Sequence, residues 1–291
     1  MEIYIAYLFR LINTRLIKAK TELERKLIKP FFLLSIYINR WTQRPAGNPS
    51  EMILISNFDA DLKLKVDRSR AMGASIFWTG FHEYREFLFL NHFLQQDMIA
   101  IDIGANLGEY TLFMAKRLSK GKVFSFEPME KMLPLLNENI RINNMENVIV
   151  LPYGLADKNE QIVIYEIDSK HEGLTTAYLG GRSIRSHRMI DVIRLDDEFP
   201  KWGLSALHFI KIDIEGGELK ALLGAKETIK KYMPVVLIEI NDFTYQAAGY
   251  TTADIERFFN ELNYQSYKVN NRGVLEPCMT LPSFGNIIFK A

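Results

Sequence analysis

Five acidic residues stand in or just after short apolar runs: Asp102 inside 98–103, Glu127 after 122–126, Asp213 and Glu215 after 207–212, and Glu239 after 235–238. Runs of this length and apolar density are strands buried in a parallel sheet, and open sheets of that kind bind ligands at the carboxyl ends of their strands. If the strands are neighbours, all five carboxylates share one edge. Crowded carboxylates repel one another, so some must be protonated, hydrogen-bonded or neutralised by a cation, and one left charged can take a proton from a substrate.

The loop after the first run narrows the choice of ligand. Gly104, Ala105 and Gly108 are small, and apolar periodicity resumes at Tyr110, Leu112, Ala115 and Leu118, which reads as strand, turn, helix. Glycine there lets backbone come close to a ligand, and the first helical amides point back at the loop. Gly104, Asn106 and Gly108 spell G-x-N-x-G. A dinucleotide fingerprint would need glycine at 106 and 109, where Asn106 and Glu109 stand, so a nicotinamide-dependent dehydrogenase fits poorly. Asp102, two positions before the first glycine, suits a cofactor with a positive amino group better than a pyrophosphate. Glu127 follows Gly108 by 19 residues and stands where nucleotide-binding sheets hold a ribose diol, whose two hydroxyls one carboxylate can accept.

The stretch Asp-Ile-Gly-Ala-Asn-Leu-Gly-Glu-Tyr-Thr (102–111) resembles the class I S-adenosylmethionine-dependent methyltransferases, and more closely the FkbM family, whose members methylate hydroxyl oxygens of sugars and polyketides. Phe-Glu-Pro at 126–128, Ile-Lys-Ile-Asp-Ile-Glu-Gly-Gly-Glu at 210–218 and Ile-Glu-Ile at 238–240 are similar to that family's pattern in the same order. The resemblance runs from about 80 to 289. It implies an α/β fold with a seven-stranded, doubly wound, Rossmann-like sheet, and S-adenosylmethionine as cofactor. It implies cofactor-binding roles for Glu83, Asp102, Gly104, Asn106, Gly108, Thr111, Glu127 and Asp157, with Glu83 in the family's Gly-x-x-Glu place and Asp157 at the adenine. Asp157 also reads as an ordinary turn aspartate before Lys158 and Asn159.

Methyl transfer asks the protein for positioning and a general base. Asp213 is the candidate base, with Glu215 and Glu239 orienting sugar hydroxyls or assisting; the expected acceptor is a hydroxyl of a saccharide or glycoconjugate. Glu218 reads as a helix amino-terminal carboxylate. The site is read without a metal, but some catechol-type O-methyltransferases hold magnesium at the ends of these same two strands, and a divalent ion stays open. A methyltransferase-like module that binds without turnover is the non-enzymatic alternative.

The positioning elements follow from periodicity. A hairpin of 52–58 and 62–66 enters the domain, a helical stretch opens at Gly80, and strands fall at 148–152 and 161–166. Residues 168–188 are polar and without periodicity, carry His171, Arg182, Arg185, His187 and Arg188, and are expected to lie over the pocket and help bind the acceptor. Thr252 is the expected cap of a helix over 251–262, and a terminal strand pair closes the chain. His82 reads as an exposed or capped histidine.

Composition sets the frame. The 291 residues, 48% hydrophobic and 24% charged, suffice for one sizeable domain and an appendage, and a net charge of +1 gives no reason to expect nucleic acid. The lone Cys278 rules out an internal disulfide and reads as a small buried apolar residue. Charge is unevenly placed. Residues 1–44 hold nine Lys/Arg against three acids, a net of +6, which leaves −5 for the rest. Helical spacing from Ile5 to Leu27 predicts amphipathic helices that Pro30 should separate, and no apolar run approaches the ~20 residues that cross a bilayer. Neither is there a secretory leader's pattern, so the expected location is cytoplasmic. The chain divides into a basic appendage and linker, 1–50, and a methyltransferase domain, 51–291. The appendage could pack on its own domain, pair with a second copy, or lie on an anionic membrane.

Overall fold

A computed structural model describes residues 2–19, 21–42, 49–167 and 175–291. Helices α1 (Glu2–Lys18) and α2 (Glu22–Thr42) precede a hairpin of β1 (Met52–Phe58) and β2 (Leu62–Asp67), then α3 (Ala71–Thr79) and α4 (Tyr84–Phe93). Strands and helices next alternate: β3 (Ile99–Ile103), α5 (Glu109–Arg117), β4 (Lys122–Phe126), α6 (Leu133–Arg141), β5 (Val148–Leu151). An inserted group follows, β6 (Gly154–Leu155), β7 (Glu160–Ile167), β8 (Thr175–Thr176) and β9 (Ile184–Ile193). The remainder is α7 (Leu195–Glu198), β10 (Phe209–Ile212), α8 (Glu218–Gly224), α9 (Lys226–Tyr232), β11 (Val235–Asn241), α10 (Asp242–Ala247), α11 (Thr252–Glu261), β12 (Gln265–Val269), β13 (Leu275–Pro277) and β14 (Phe284–Lys290).

The main sheet has the order β13-β12-β14-β11-β10-β3-β4-β5, parallel from β11 to β5, with β14 antiparallel to β11. Seven strands in the expected doubly wound order carry one extra, three-residue edge strand, β13. Both faces are covered, which is why the parallel strands are mostly apolar. Ala100, Val123, Phe209 and Leu237 join the core beneath α3, α4 and α5. Their neighbours Ile101, Phe124, Ile210 and Ile238 join a second core with α8, α9 and α11. Strand alternation therefore sorts the polar residues too: Asp102, Ser125 and Lys211 are all buried on the α5 side.

The region expected to be an aperiodic loop contains strands. β9 pairs with β7 over eight positions, β8 pairs with β7, and β6 pairs with β9, giving a separate four-stranded sheet. Ile184 to Ile193 interleaves Arg, Ser, His and Asp with apolar residues because one face of this sheet is open to solvent; charge had masked the alternation. His171 lies outside the described residues.

Three expected boundaries move. Pro30 does not divide the appendage: α2 runs through it, α1 having ended at Lys18 and α2 begun at Glu22. Thr21 Oγ1 accepts from Glu24 N at 3.2 Å and Glu24 Oε2 accepts from Thr21 N at 3.0 Å, a reciprocal cap that starts the helix nine residues before the proline. Gly80 ends α3 in a left-handed conformation rather than opening a helix, so α4 begins at Tyr84. The cap of α11 is Thr251, whose N–H donates to Asp254 at 2.8 Å, and Thr252 is the first helical residue.

Candidate active site

Register brings the carboxylates together. Lys211 lies opposite Asp102 and Leu237, and Ile212 opposite Ile103 and Ile238, so Gly104, Asp213 and Glu239 leave three adjacent strands side by side. Glu127 leaves β4 next to them. They border a cavity of about 860 Å³ lined by Glu83, Gly104, Asn106, Glu127, Asp213, Glu215 and Glu239 among others. Asp102, Gly108, Thr111 and Asp157 are not in its lining. Asp102 is wholly buried behind the wall, its Oδ2 accepting from Thr111 Oγ1 at 2.6 Å, and Thr111 also bonds Ser125. Gly108 caps α5 against Leu136. At the expected adenine position, Tyr153, Gly154, Leu155 and Ala156 line the cavity, and the half-buried Asp157 does not.

The cofactor half is an array of acceptors. Glu127 takes Asn106 N at 2.8 Å and Met129 N at 2.9 Å, one on each oxygen, which fixes its carboxylate at the wall. Burial, then the Asp102 charge, pushes it up to about 7 against those two N–H donors. Glu83 is held by Tyr110 OH at 2.6 Å and Asn286 Nδ2 at 2.6 Å. Asn106 Oδ1, Glu109 Oε2 and, behind them, Asp102 Oδ1 are buried with no hydrogen-bond partner among the described residues. The two of these at the cavity, Asn106 Oδ1 and Glu109 Oε2, call for a ligand that brings donors. A ribose diol and an ammonium group supply them, and Leu155, Ile162, Ile164 and Ile190 give an apolar wall for a flat base. The residues therefore fit S-adenosylmethionine.

Gly104 has a different reason for being glycine than ligand access. Its φ is +82°, and a Cβ would sit 2.1 Å from Asp213 O, so the loop packs directly on the neighbouring strand end.

The acceptor half holds Asp213, Glu215 and Glu239, which can bring one oxygen each to within 4.8 Å of the others. Lys211, unremarked in the sequence, donates to Asp213 Oδ2 at 3.2 Å and lies 4.9 Å from the centre of the Tyr110 ring. Burial would lower its ammonium, but Asp213, Asp102 and Glu83 outweigh burial and raise it, so the cation is secure. A signal existed: Ile-Lys-Ile-Asp puts Lys211 and Asp213 on one face of a strand, and a lysine inside a buried strand needs a partner. Burial, then the charges of Asp213 and Glu215, raises Glu239 to about 10. Burial, then Asp213 and Glu218, raises Glu215 to about 8. Both hold a proton at neutral pH. Glu215 is left-handed, φ 55°, followed by Gly216 at 106°, and Thr176 of the second sheet donates to Glu215 O at 2.7 Å. Glu218 accepts from Ile214 N at 3.0 Å and Gly216 N at 2.8 Å, closing this turn onto the start of α8 as its expected helix-terminal role requires.

A sequence profile of the FkbM methyltransferase domain matches residues 102–266. The chain belongs to the FkbM methyltransferase family. Its matched segment is thus a methyltransferase domain of the class that uses S-adenosylmethionine, which sets the nicotinamide reading aside. Among curated relatives, the methyltransferase sdnD of Sordaria araneosa is 26% identical over 54% of this chain and 70% of its own. The hexuronic acid methyltransferase AglP of Haloferax volcanii is 25% identical over 57% of this chain and 63% of its own, and the 2-O-methyltransferase NoeI of Sinorhizobium fredii 24% over 46% and 60%. The solved FkbM methyltransferase of Methylobacillus flagellatus shares 19% identity and a TM-score of 0.47, covering 75% of this chain and 52% of that one, a likeness too distant to bear on the site.

Proposed function

We propose that this FkbM-family chain transfers a methyl group from S-adenosylmethionine to a hydroxyl oxygen of a saccharide or glycoconjugate. The observation that carries the reading is the meeting of Asp213, Glu215 and Glu239 within 4.8 Å, beside the glycine loop and Glu127 in one cavity. Three carboxyl groups, two of them raised toward the protonated form, can both donate to and accept from a polyol. Phe243 and Phe284 line the same cavity and are exposed, offering aromatic faces to the apolar side of a sugar ring. The names of two relatives, a hexuronic acid methyltransferase and a 2-O-methyltransferase, agree with this acceptor class.

S-adenosylmethionine, when bound, supplies an electrophilic methyl carbon on a sulfonium. The chain orients the acceptor oxygen, keeps water out and takes the hydroxyl proton. Asp213 takes it on Oδ1, since Lys211 occupies Oδ2. Glu239 and Glu215, protonated, donate to neighbouring hydroxyls and turn the reacting oxygen toward Asp213.

Asp213→Asn keeps shape and removes proton acceptance. Methyl transfer to saccharide acceptors should fall by roughly 10²–10⁴-fold, with S-adenosylmethionine affinity in calorimetry retained. Near-normal turnover by this variant, insensitive to chelator, would overturn the assignment. The same oxygens could instead share a divalent cation, the second reading; then chelator abolishes turnover of the unaltered protein and magnesium restores it. Cofactor binding with no transfer to any acceptor of a saccharide panel would leave a binding module.

A further inference from the structure

The helical appendage is turned partly inside out. On α2 the two buried residues are polar, Ser35 and Asn39, while Leu23, Leu27, Phe31, Leu34, Tyr37 and Trp41 are exposed. The exposed set steps by three or four residues along the whole helix, so it forms one stripe. Exposure is high even for single side chains: Leu23 68%, Leu27 65%, Tyr37 66% and Trp41 84%. α1 repeats the arrangement. Arg10, Asn13 and Thr14 are buried, and Tyr4 and Leu8 face out.

The inward polar groups have specific partners. Asn13 Nδ2 donates to Ser35 Oγ at 3.1 Å and to Thr79 O at 2.9 Å, and Arg10 Nε donates to Asn57 Oδ1 at 2.7 Å, with a second Arg10 contact to Phe77 O. These bonds, with Ala6, Phe9 and Ile17 in the shared core, dock α1 and α2 against α3 and β1 in one orientation. The apolar stripe is therefore what remains after the appendage has packed on its own domain. An apolar strip of this extent on a protein surface marks an interaction site.

Charge selects the occupant. Lys26, Lys29 and Arg40 are exposed and, at about 100° per residue, fall on one flank of the α2 stripe. Arg15 and Lys18 are exposed at the end of α1. Two of the three acids are spent on the domain: Glu2 pairs with Arg68 at 2.9 Å and Glu22 with Arg272 at 3.4 Å. Leucines and phenylalanine on the stripe, Tyr37 and Trp41 toward its end, and cations along its edge are the arrangement of a helix lying in the headgroup region of a bilayer. No described helix is long and apolar enough to cross one. We propose that α1 and α2 dock the domain onto an anionic lipid surface, with α2 lying in the interface along its Leu23-to-Trp41 stripe.

The test uses the full chain and vesicles of phosphatidylglycerol and phosphatidylcholine. At low salt the protein should float with the anionic vesicles and not with pure phosphatidylcholine, and added salt should weaken binding. Trp41 emission should shift to the blue on binding, a shift absent from Trp41→Phe. Lys26→Gln with Lys29→Gln should weaken binding about thirtyfold, at ~1 kcal/mol for each basic group near the surface. Leu27→Glu with Leu34→Glu should abolish it while S-adenosylmethionine affinity stays unchanged, which shows the domain is folded. Failure to float at low salt overturns the proposal. So does flotation that survives Leu27→Glu with Leu34→Glu, or a dimer in sedimentation that these substitutions dissociate and vesicles ignore, since a second copy then covers the stripe.

Discussion

Lys211 is a buried cation facing Asp213, Asp102 and Glu83, and its loss would leave Asp102 buried and all three without that compensation. Lys211→Met should therefore lower the melting temperature, and more at pH 8 than at pH 5.5, because protonation relieves the stranded carboxylates in acid. An equal loss at both pH values would show that Lys211 acts by packing alone. Glu127 makes a different claim. If it holds the ribose, Glu127→Ala weakens S-adenosylmethionine by about 1.5–3 kcal/mol in calorimetry, the range for hydrogen bonds to a charged group, with the fold kept. Gly104→Ala tests backbone rather than side chain. With φ at +82° and a Cβ 2.1 Å from Asp213 O, it should cost well beyond the ~1–2 kcal/mol of a left-handed residue. Gly203→Ala, at φ +64° with nothing within 4 Å, should cost only that amount in urea denaturation.

Among the elements, α2 shows local and tertiary signals in competition. Its Thr21 and Glu24 cap is a sequence-readable start, worth about 1 kcal/mol. Pro30 is a sequence-readable stop that does not stop it. The proline lies exposed, so the carbonyl left without an amide partner can turn to water, and packing on α1 and α3 carries the helix through. Thr21→Ala should thus destabilise by roughly 1 kcal/mol. Pro30→Ala should stabilise, by up to about 3 kcal/mol, because it restores a helical hydrogen bond and removes the ring's clash. A drop in stability with Pro30→Ala would contradict this account of α2.

For the molecule as a whole, the site makes stability depend on pH in a definite sense. Burial first, then mutual repulsion, raises Glu109 to about 8, Glu215 to about 8 and Glu239 to about 10, while Glu127 and Glu218 rise to about 7. Each is an acid with a folded value above its unfolded value near ~4.3. Between about pH 4.5 and each raised value the folded state binds more protons, so stability falls as pH rises through that window. Asp67, Asp254, Glu166 and Glu261 are lowered and act in the opposite sense, but only at the acid end, where their unfolded forms titrate. The ligand-free protein should melt higher at pH 6 than at pH 9, and Glu239→Gln should flatten the alkaline part of the slope. A melting temperature that rises from pH 6 to pH 9 would contradict this account of the cluster.

Local pattern determined the parallel strands of the main sheet, their order of chemistry and the family. Apolar runs ending in Asp102, Glu127, Asp213 and Glu239 needed only strand periodicity and parallel pairing to share an edge, and the observed register places them there. What local pattern could not reach was decided by contacts distant in sequence. Asp102 and Thr111 proved to stand behind the wall, because burial of alternate residues depends on what covers the sheet. Lys211 became a partner of Asp213 only once the strand was known to be enclosed. Gly104 owes its lack of a side chain to Asp213, more than a hundred residues later in the chain. The second sheet was hidden because β9 exposes charge on one face, and its apolar face has meaning only opposite the cavity. The appendage is the sharpest case: helical spacing showed that α1 and α2 were amphipathic, but only the packed structure showed which side faces out. Asn13, Ser35 and Arg10 find their hydrogen bonds inside, and that choice leaves the leucines and Trp41 to solvent.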